Sequence, residues 1–130
     1  MAQMPSASRR GRVLIVHDEF MACAAFARVL MFADERVLLT SAREAFTRLM
    51  AGEHFDVILF KLMMPEMNGM ELHQQLALHR PSLVERIVFL SSGVVPSDAR
   101  AFLGQMKNPC VEIPFDESEV RALVRALLER

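Results

Sequence analysis

Across residues 12–130, short apolar runs alternate with stretches in which apolar residues recur every three or four positions. Val13-Leu14-Ile15-Val16 is a continuous apolar run of the kind found in a parallel sheet covered on both faces. Phe20, Cys23, Ala24, Ala27, Leu30 and Met31 then follow helical spacing and predict a first helix with an apolar stripe. Residues 37–40 read as a second strand. Ser41 with Glu44 forms a capping box ahead of Ala45, Phe46, Leu49 and Met50, which predicts a second helix. Residues 57–60 read as a third strand. A third helix opens at Gly69, turns Leu72 and Leu76 inward and stops near Pro81, whose ring disfavours helical backbone before it. Residues 87–90 make a fourth strand, Ala99, Phe102, Leu103 and Met106 mark a fourth helix, and residues 111–113 make a short fifth strand. Asp116 caps a last helix that reaches Leu128.

Five strand and helix pairs in strict alternation imply an α/β protein, a flavodoxin-like doubly wound (βα)5 with a five-stranded parallel sheet in the order 2-1-3-4-5. Such sheets bind ligands beyond the carboxyl ends of their strands, at the switch in strand order. That edge gathers His17, Asp18 and Glu19 after the first strand, Lys61 after the third, Ser91 after the fourth and Ile113 at the fifth.

Composition narrows the class. At 130 residues the chain fits one domain at 12–130, preceded by a Ser-, Pro- and Arg-rich arm at 1–11 that is expected to be disordered. The formal net charge of −1, with both signs interspersed, gives no electrostatic footprint for nucleic acid. No apolar run is long enough for a membrane span, and the first residues lack the apolar core of a signal peptide. Two cysteines, Cys23 and Cys110, without metal-type spacing imply free thiols in a reducing, cytoplasmic compartment.

The stretch Phe55-Asp56-Val57-Ile58-Leu59-Phe60-Lys61-Leu62-Met63-Met64-Pro65-Glu66-Met67-Asn68-Gly69 resembles the core motif of response-regulator receiver domains. In that family the third strand ends in a phosphoacceptor aspartate, followed by a Met-Pro turn and then Asn-Gly or Asp-Gly before a helix. Met64-Pro65 and Asn68-Gly69 keep the spacing, whereas the acceptor position holds Lys61. The resemblance extends from about Arg12 to the C-terminus. Carried over position by position, it places His17 and Asp18 at the two acidic metal sites, with Glu19 following them. Ser91 falls at the hydroxyl, Ile113 at the lysine before the final proline, and Cys110 at the aromatic switch. Residues 86–115 look most like receivers attached to hybrid histidine kinases.

These departures belong together chemically. A phosphoryl group brings about two negative charges into an acidic pocket, so magnesium and a lysine are needed to neutralise it. An ammonium cannot form an acyl phosphate. With Asp18 as the one weak metal candidate, magnesium binding is expected to be weak or absent and no cofactor is implied. Lys61 is expected to donate to Asp18 in the metal's stead.

Other readings of the same residues are weaker. An engineered Lys61 leaves His17 and Ile113 unexplained. A Schiff-base lysine lacks a second base or a substrate motif. His17 with Asp18 as a metal pair suffers because adjacent residues at a strand end point apart, which leaves His17 as a partly buried polar filler. Cys23 and Cys110 as a redox pair compete with their ordinary role as small hydrophobes. Pro65, Asn68 and Gly69 read as turn chemistry, and Ser91 as bonding locally or accepting from Lys61.

The resemblance therefore implies a degenerate receiver that is not an enzyme and recognises proteins without phosphorylation. The alternative is a receiver, of a hybrid kinase or standing alone, that still responds to phosphorelay input. Expected partners are a histidine kinase, a phosphotransfer or output domain, or a second copy through the fourth helix, fifth strand and fifth helix, with Arg100, Lys107, Arg121 and Arg125 on that face. No DNA-binding segment is expected after Arg130. With its switch residue reduced to Cys110, the domain is expected to rest in one state.

Overall fold

The computed structural model describes residues 11–129. Of the arm assigned to residues 1–11, the described part is Gly11 alone. It is buried, its N–H donates to Asp34 at 3.0 Å, and its φ of +76° places a built Cβ 2.6 Å from Leu128. Only glycine fits there. The elements follow as β1 (Arg12–Val16), α1 (Phe20–Val29), β2 (Glu35–Leu39), α2 (Ala42–Met50), β3 (Val57–Lys61), α3 (Gly69–His79), a 3-10 turn (Pro81–Arg86), β4 (Ile87–Ser91), α4 (Ser97–Gln105), β5 (Cys110–Glu112) and α5 (Glu117–Leu128).

All four strand pairings are parallel, and the sheet order is β2-β1-β3-β4-β5. Successive side chains of a strand face opposite sides. Leu14, Val16, Ile58, Phe60, Ile87 and Phe89 enter a core with α2, α3 and α4. Val13, Ile15, Val57, Leu59, Val88 and Leu90 enter a second core with α1 and α5. Burial on both sides explains why β1, β3 and β4 read as unbroken apolar runs. β1 and β3 are neighbours although β2 lies between them in sequence, and the carboxyl ends of these two strands flank the switch point.

Four details depart from the sequence reading. β2 starts at Glu35, before the expected residue 37, because Glu35 and Arg36 already pair with Arg12 and Val13 of β1, their charged side chains being met by Arg12 Nε at 2.7 Å and by Ala27 O at 2.6 Å. β5 ends at Glu112 instead of Ile113, although the Ile113 N–H still reaches Ser91 O at 2.7 Å. α1 ends at Val29, so the expected Met31 lies beyond it and is 67% exposed, and the buried face of the helix is Cys23, Phe26, Ala27 and Val29, with Phe20 61% exposed. Phe20 opens the helix at the carboxyl edge, beyond the end of β1. The capping box on α2 is half formed: the Ser41 hydroxyl oxygen accepts from Glu44 N–H, but the Glu44 carboxylate does not return to the Ser41 backbone N–H, and the Ser41 O–H donates to Glu66 instead. The complete box stands at α3, where Asn68 accepts from Glu71 N–H and Glu71 accepts from Asn68 N–H, both at 2.9 Å. Asn68 is thus a helix cap as well as a turn residue.

Candidate functional site

β1 delivers His17, Asp18 and Glu19 to the carboxyl edge, and β3 delivers Lys61 beside them. The Lys61 ammonium donates to Asp18 Oδ1 at 2.9 Å, so the ion pair expected from the sequence is present. Both partners are partly covered, with side chains 21% and 32% exposed. Burial pushes the Asp18 carboxyl up, but the Lys61 hydrogen bond and charge outweigh it and hold the group below the usual carboxylate range.

His17 is 3% exposed, and its Nδ1 accepts from Glu19 N–H at 3.0 Å. That bond fixes the proton of the neutral ring on Nε2. Nδ1 also stands 3.4 Å from Asp18 Oδ1, where two lone pairs meet and no hydrogen bond forms. Burial, followed by the Lys61 charge, lowers the affinity of His17 for a proton. Beneath it the Cys23 thiol sits among the carbonyl oxygens of Ile15, His17 and Leu39 at 3.5 to 3.8 Å, and burial raises its pKa.

Ser91 closes β4 in a buried position and bonds locally, its Oγ accepting from Gly93 N–H at 3.1 Å. Ile113 is half-buried and packs into the core shared with α1 and α5. Cys110 is exposed on the edge strand while Cys23 is buried, and both are free thiols. Pro65 is exposed in the loop after β3. Gly69 starts α3 with its N–H on Leu62 O at 2.7 Å and the Phe89 ring 2.9 Å from a built Cβ.

Glu66 was not singled out from the sequence. It holds a φ of 73°, accepts from Ser41 Oγ at 3.1 Å and Arg43 N–H at 3.3 Å, and so ties the loop after β3 to the start of α2. A glutamate directly after Met-Pro carries no signal for such a long-range cap. Four exposed apolar residues, Phe20, Met21, Met63 and Val94, also lie in segments at this edge. Among the described residues no group of three or more His, Cys, Asp or Glu side chains is arranged to hold a metal ion, and no helix is long and apolar enough to cross a membrane.

The parallel 2-1-3-4-5 sheet is that of the flavodoxin-like class, and the family model for the response regulator receiver domain matches residues 13–125. The chain belongs to that family. It is 32% identical over 95 residues to the sensory/regulatory protein RpfC of Xanthomonas campestris pv. campestris, a match covering 72% of this chain and 13% of the relative. Among solved structures it resembles a CheY-like receiver domain protein from Methanospirillum hungatei, at 22% identity and TM-score 0.76, covering 91% of this chain and 93% of the other. It also resembles the signal receiver domain of a signal transduction histidine kinase from Syntrophus aciditrophicus, at 24% identity and TM-score 0.75, covering 91% and 89%.

Proposed function

We propose that this receiver has exchanged phosphorylation for a fixed ion pair and acts as a phosphorylation-independent protein-interaction module. The observation that carries this reading is the Lys61 ammonium at the end of β3, 2.9 Å from Asp18. The receiver motif puts the phosphoacceptor at this position, and an amine cannot become an acyl phosphate.

The surrounding donors support the same conclusion. Magnesium favours several oxygen ligands in tight octahedral geometry. Here Asp18 is engaged by Lys61, the His17 ring nitrogen is buried and bonded, and Ile113 offers no charge where a receiver places a lysine. The donor set does not suit the ion. The domain is therefore a binding partner and not a catalyst of its own phosphorylation, placed in the cytoplasm with a histidine kinase or an output protein. Contacts run through α1 or through the face of α4, β5 and α5, where a homodimer is the competing arrangement.

The likeness to a histidine kinase receiver and to a sensory/regulatory protein favours a second reading, in which the domain still answers to a phosphorelay through Asp18 or Glu19. Incubation with magnesium and acetyl phosphate followed by intact-mass measurement separates the two. No mass gain is expected. A phosphoryl adduct that disappears in Asp18→Asn would establish the second reading.

A further inference from the structure

At the open edge of the sheet a groove of about 790 Å3 lies between α4, β5 and α5. Leu103, Val111 and Leu123 bring apolar surface from all three elements, the charged groups on its walls are Glu112, Asp116 and Glu119, and no basic residue lines it. Asp116 is committed to capping α5, accepting from Glu119 N–H at 3.0 Å. Among the described residues neither the Glu112 nor the Glu119 carboxylate has an ion-pair partner. The arginines of α5 are taken up elsewhere: Arg121 faces Glu117 at 3.8 Å, and Arg125 lies over the Phe32 ring at 4.2 Å. With a net charge of −1 for the whole chain, this acidity is local.

β5 also ends the sheet. Its ladder to β4 uses Pro109 O and Ile113 N, which directs the backbone groups of Cys110 and Glu112 away from β4. An apolar floor, an unneutralised acidic wall and an edge strand together favour an incoming segment that carries apolar anchors flanked by positive charge.

We propose that this groove receives a basic amphipathic segment of another protein, its apolar side chains on Leu103, Val111 and Leu123 and its arginine or lysine residues against Glu112 and Glu119. The proposal rests on the reading of the chain as an interaction module and supplies the chemistry of the partner. A second copy is the poorer occupant, because a two-fold pairing through the groove sets its carboxylates against their own copies.

The test titrates two synthetic peptides into 15N-labelled protein at about 0.15 M salt. They share one spacing of leucines and carry either arginine or glutamate at the flanking positions. The arginine peptide is expected to shift the amides of Val111, Glu112, Glu119 and Leu123, and the glutamate peptide to leave them in place. Glu112→Lys with Glu119→Lys should weaken the arginine peptide at least about tenfold. Should that variant fail to fold, raising salt to about 1 M on the natural chain must weaken binding likewise. Equal binding of both peptides, shifts scattered outside the groove, or self-association by sedimentation that occupies the same amides would each overturn the proposal. A phosphoryl adduct formed in parallel samples would contradict the phosphorylation-independent reading alone, and the charge test would still decide the partner.

Discussion

Lys61 Nζ lies 2.9 Å from Asp18 Oδ1, joining the end of β3 to the loop after β1 across the switch point of the sheet. The pair puts one positive and one negative charge where a phosphorylating receiver concentrates carboxylates. It also sets the titration of Asp18, since the group is pulled up by burial and down by Lys61. In Lys61→Met only the upward pull survives, apart from the smaller local contributions. Carboxyl NMR should find Asp18 below the ordinary range in the natural chain and above it in the variant. By linkage, Asp18 stabilises the natural fold above its ordinary pKa and loses that contribution as pH falls through the depressed value. The variant should reverse this trend, and an unchanged Asp18 titration would show that the pair does not persist in solution.

Gly69 is held by its surroundings and not by backbone freedom. A methyl group there would meet the Phe89 ring at 2.9 Å and Leu62 at 3.2 Å, at the first turn of α3. Gly69→Ala should cost about 1–3 kcal/mol in urea unfolding. A smaller loss would mean that α3 shifts freely on β4.

At the opposite edge of the sheet Glu53 accepts from Arg48 at 2.7 and 2.8 Å and from Arg12 at 2.9 Å, which brings its pKa down to about 2. Its folded value lies below its unfolded one, so its stabilisation is complete above about pH 4.5 and is lost as pH falls toward 2. The side chain is 25% exposed, and solvent screening limits the contribution to about 1 kcal/mol. Glu53→Gln should destabilise by that amount at pH 7 and narrow its deficit near pH 3 in thermal melts.

Burial disfavours the charged form of both His17 and His73, the latter packed 5.4 Å from Phe102 and 6.4 Å from Phe89 between ring centroids. Their folded pKa values lie below the unfolded one of about 6.5. The stability they allow is therefore present above that pH and lost as pH falls below it. Melting temperature should drop by a few degrees between pH 7.5 and 5.5. His73→Phe should flatten part of that slope, and no slope at all would show that both rings charge freely when folded.

The fold was legible because β1, β3 and β4 are covered on both sides and carry runs such as Val13-Leu14-Ile15-Val16, whose shortness and β-branched residues mark buried strands. Strand ends were less legible, since Glu35 and Arg36 are charged yet belong to β2. The apolar content of α1 hid its phase: nine of the ten residues in FMACAAFARV are apolar, so periodicity could not tell buried Phe26 from exposed Phe20. In the site, topology gathered Lys61 and Asp18 at one edge, and the receiver resemblance, with a lysine standing where the acceptor belongs, pointed to their pairing. The cap from Glu66 depends on how the loop after β3 folds back, and the acidic walls of the edge groove depend on how β5 and α5 are set side by side, neither of which a local pattern encodes.

Whether the Lys61–Asp18 pair has displaced phosphorylation is decided by an NMR titration with magnesium and beryllofluoride, a mimic of the phosphoryl group. The natural chain is compared with a Lys61→Asp, Ile113→Lys double variant. Amides of Asp18, Lys61 and Ser91 should remain in place in the natural chain, while the variant, with acceptor and counter-lysine restored, should shift at all three segments. Pocket-centred shifts in the natural chain would show that the pocket still accepts a phosphoryl group beside Lys61 and would return the domain to the phosphorylation switches.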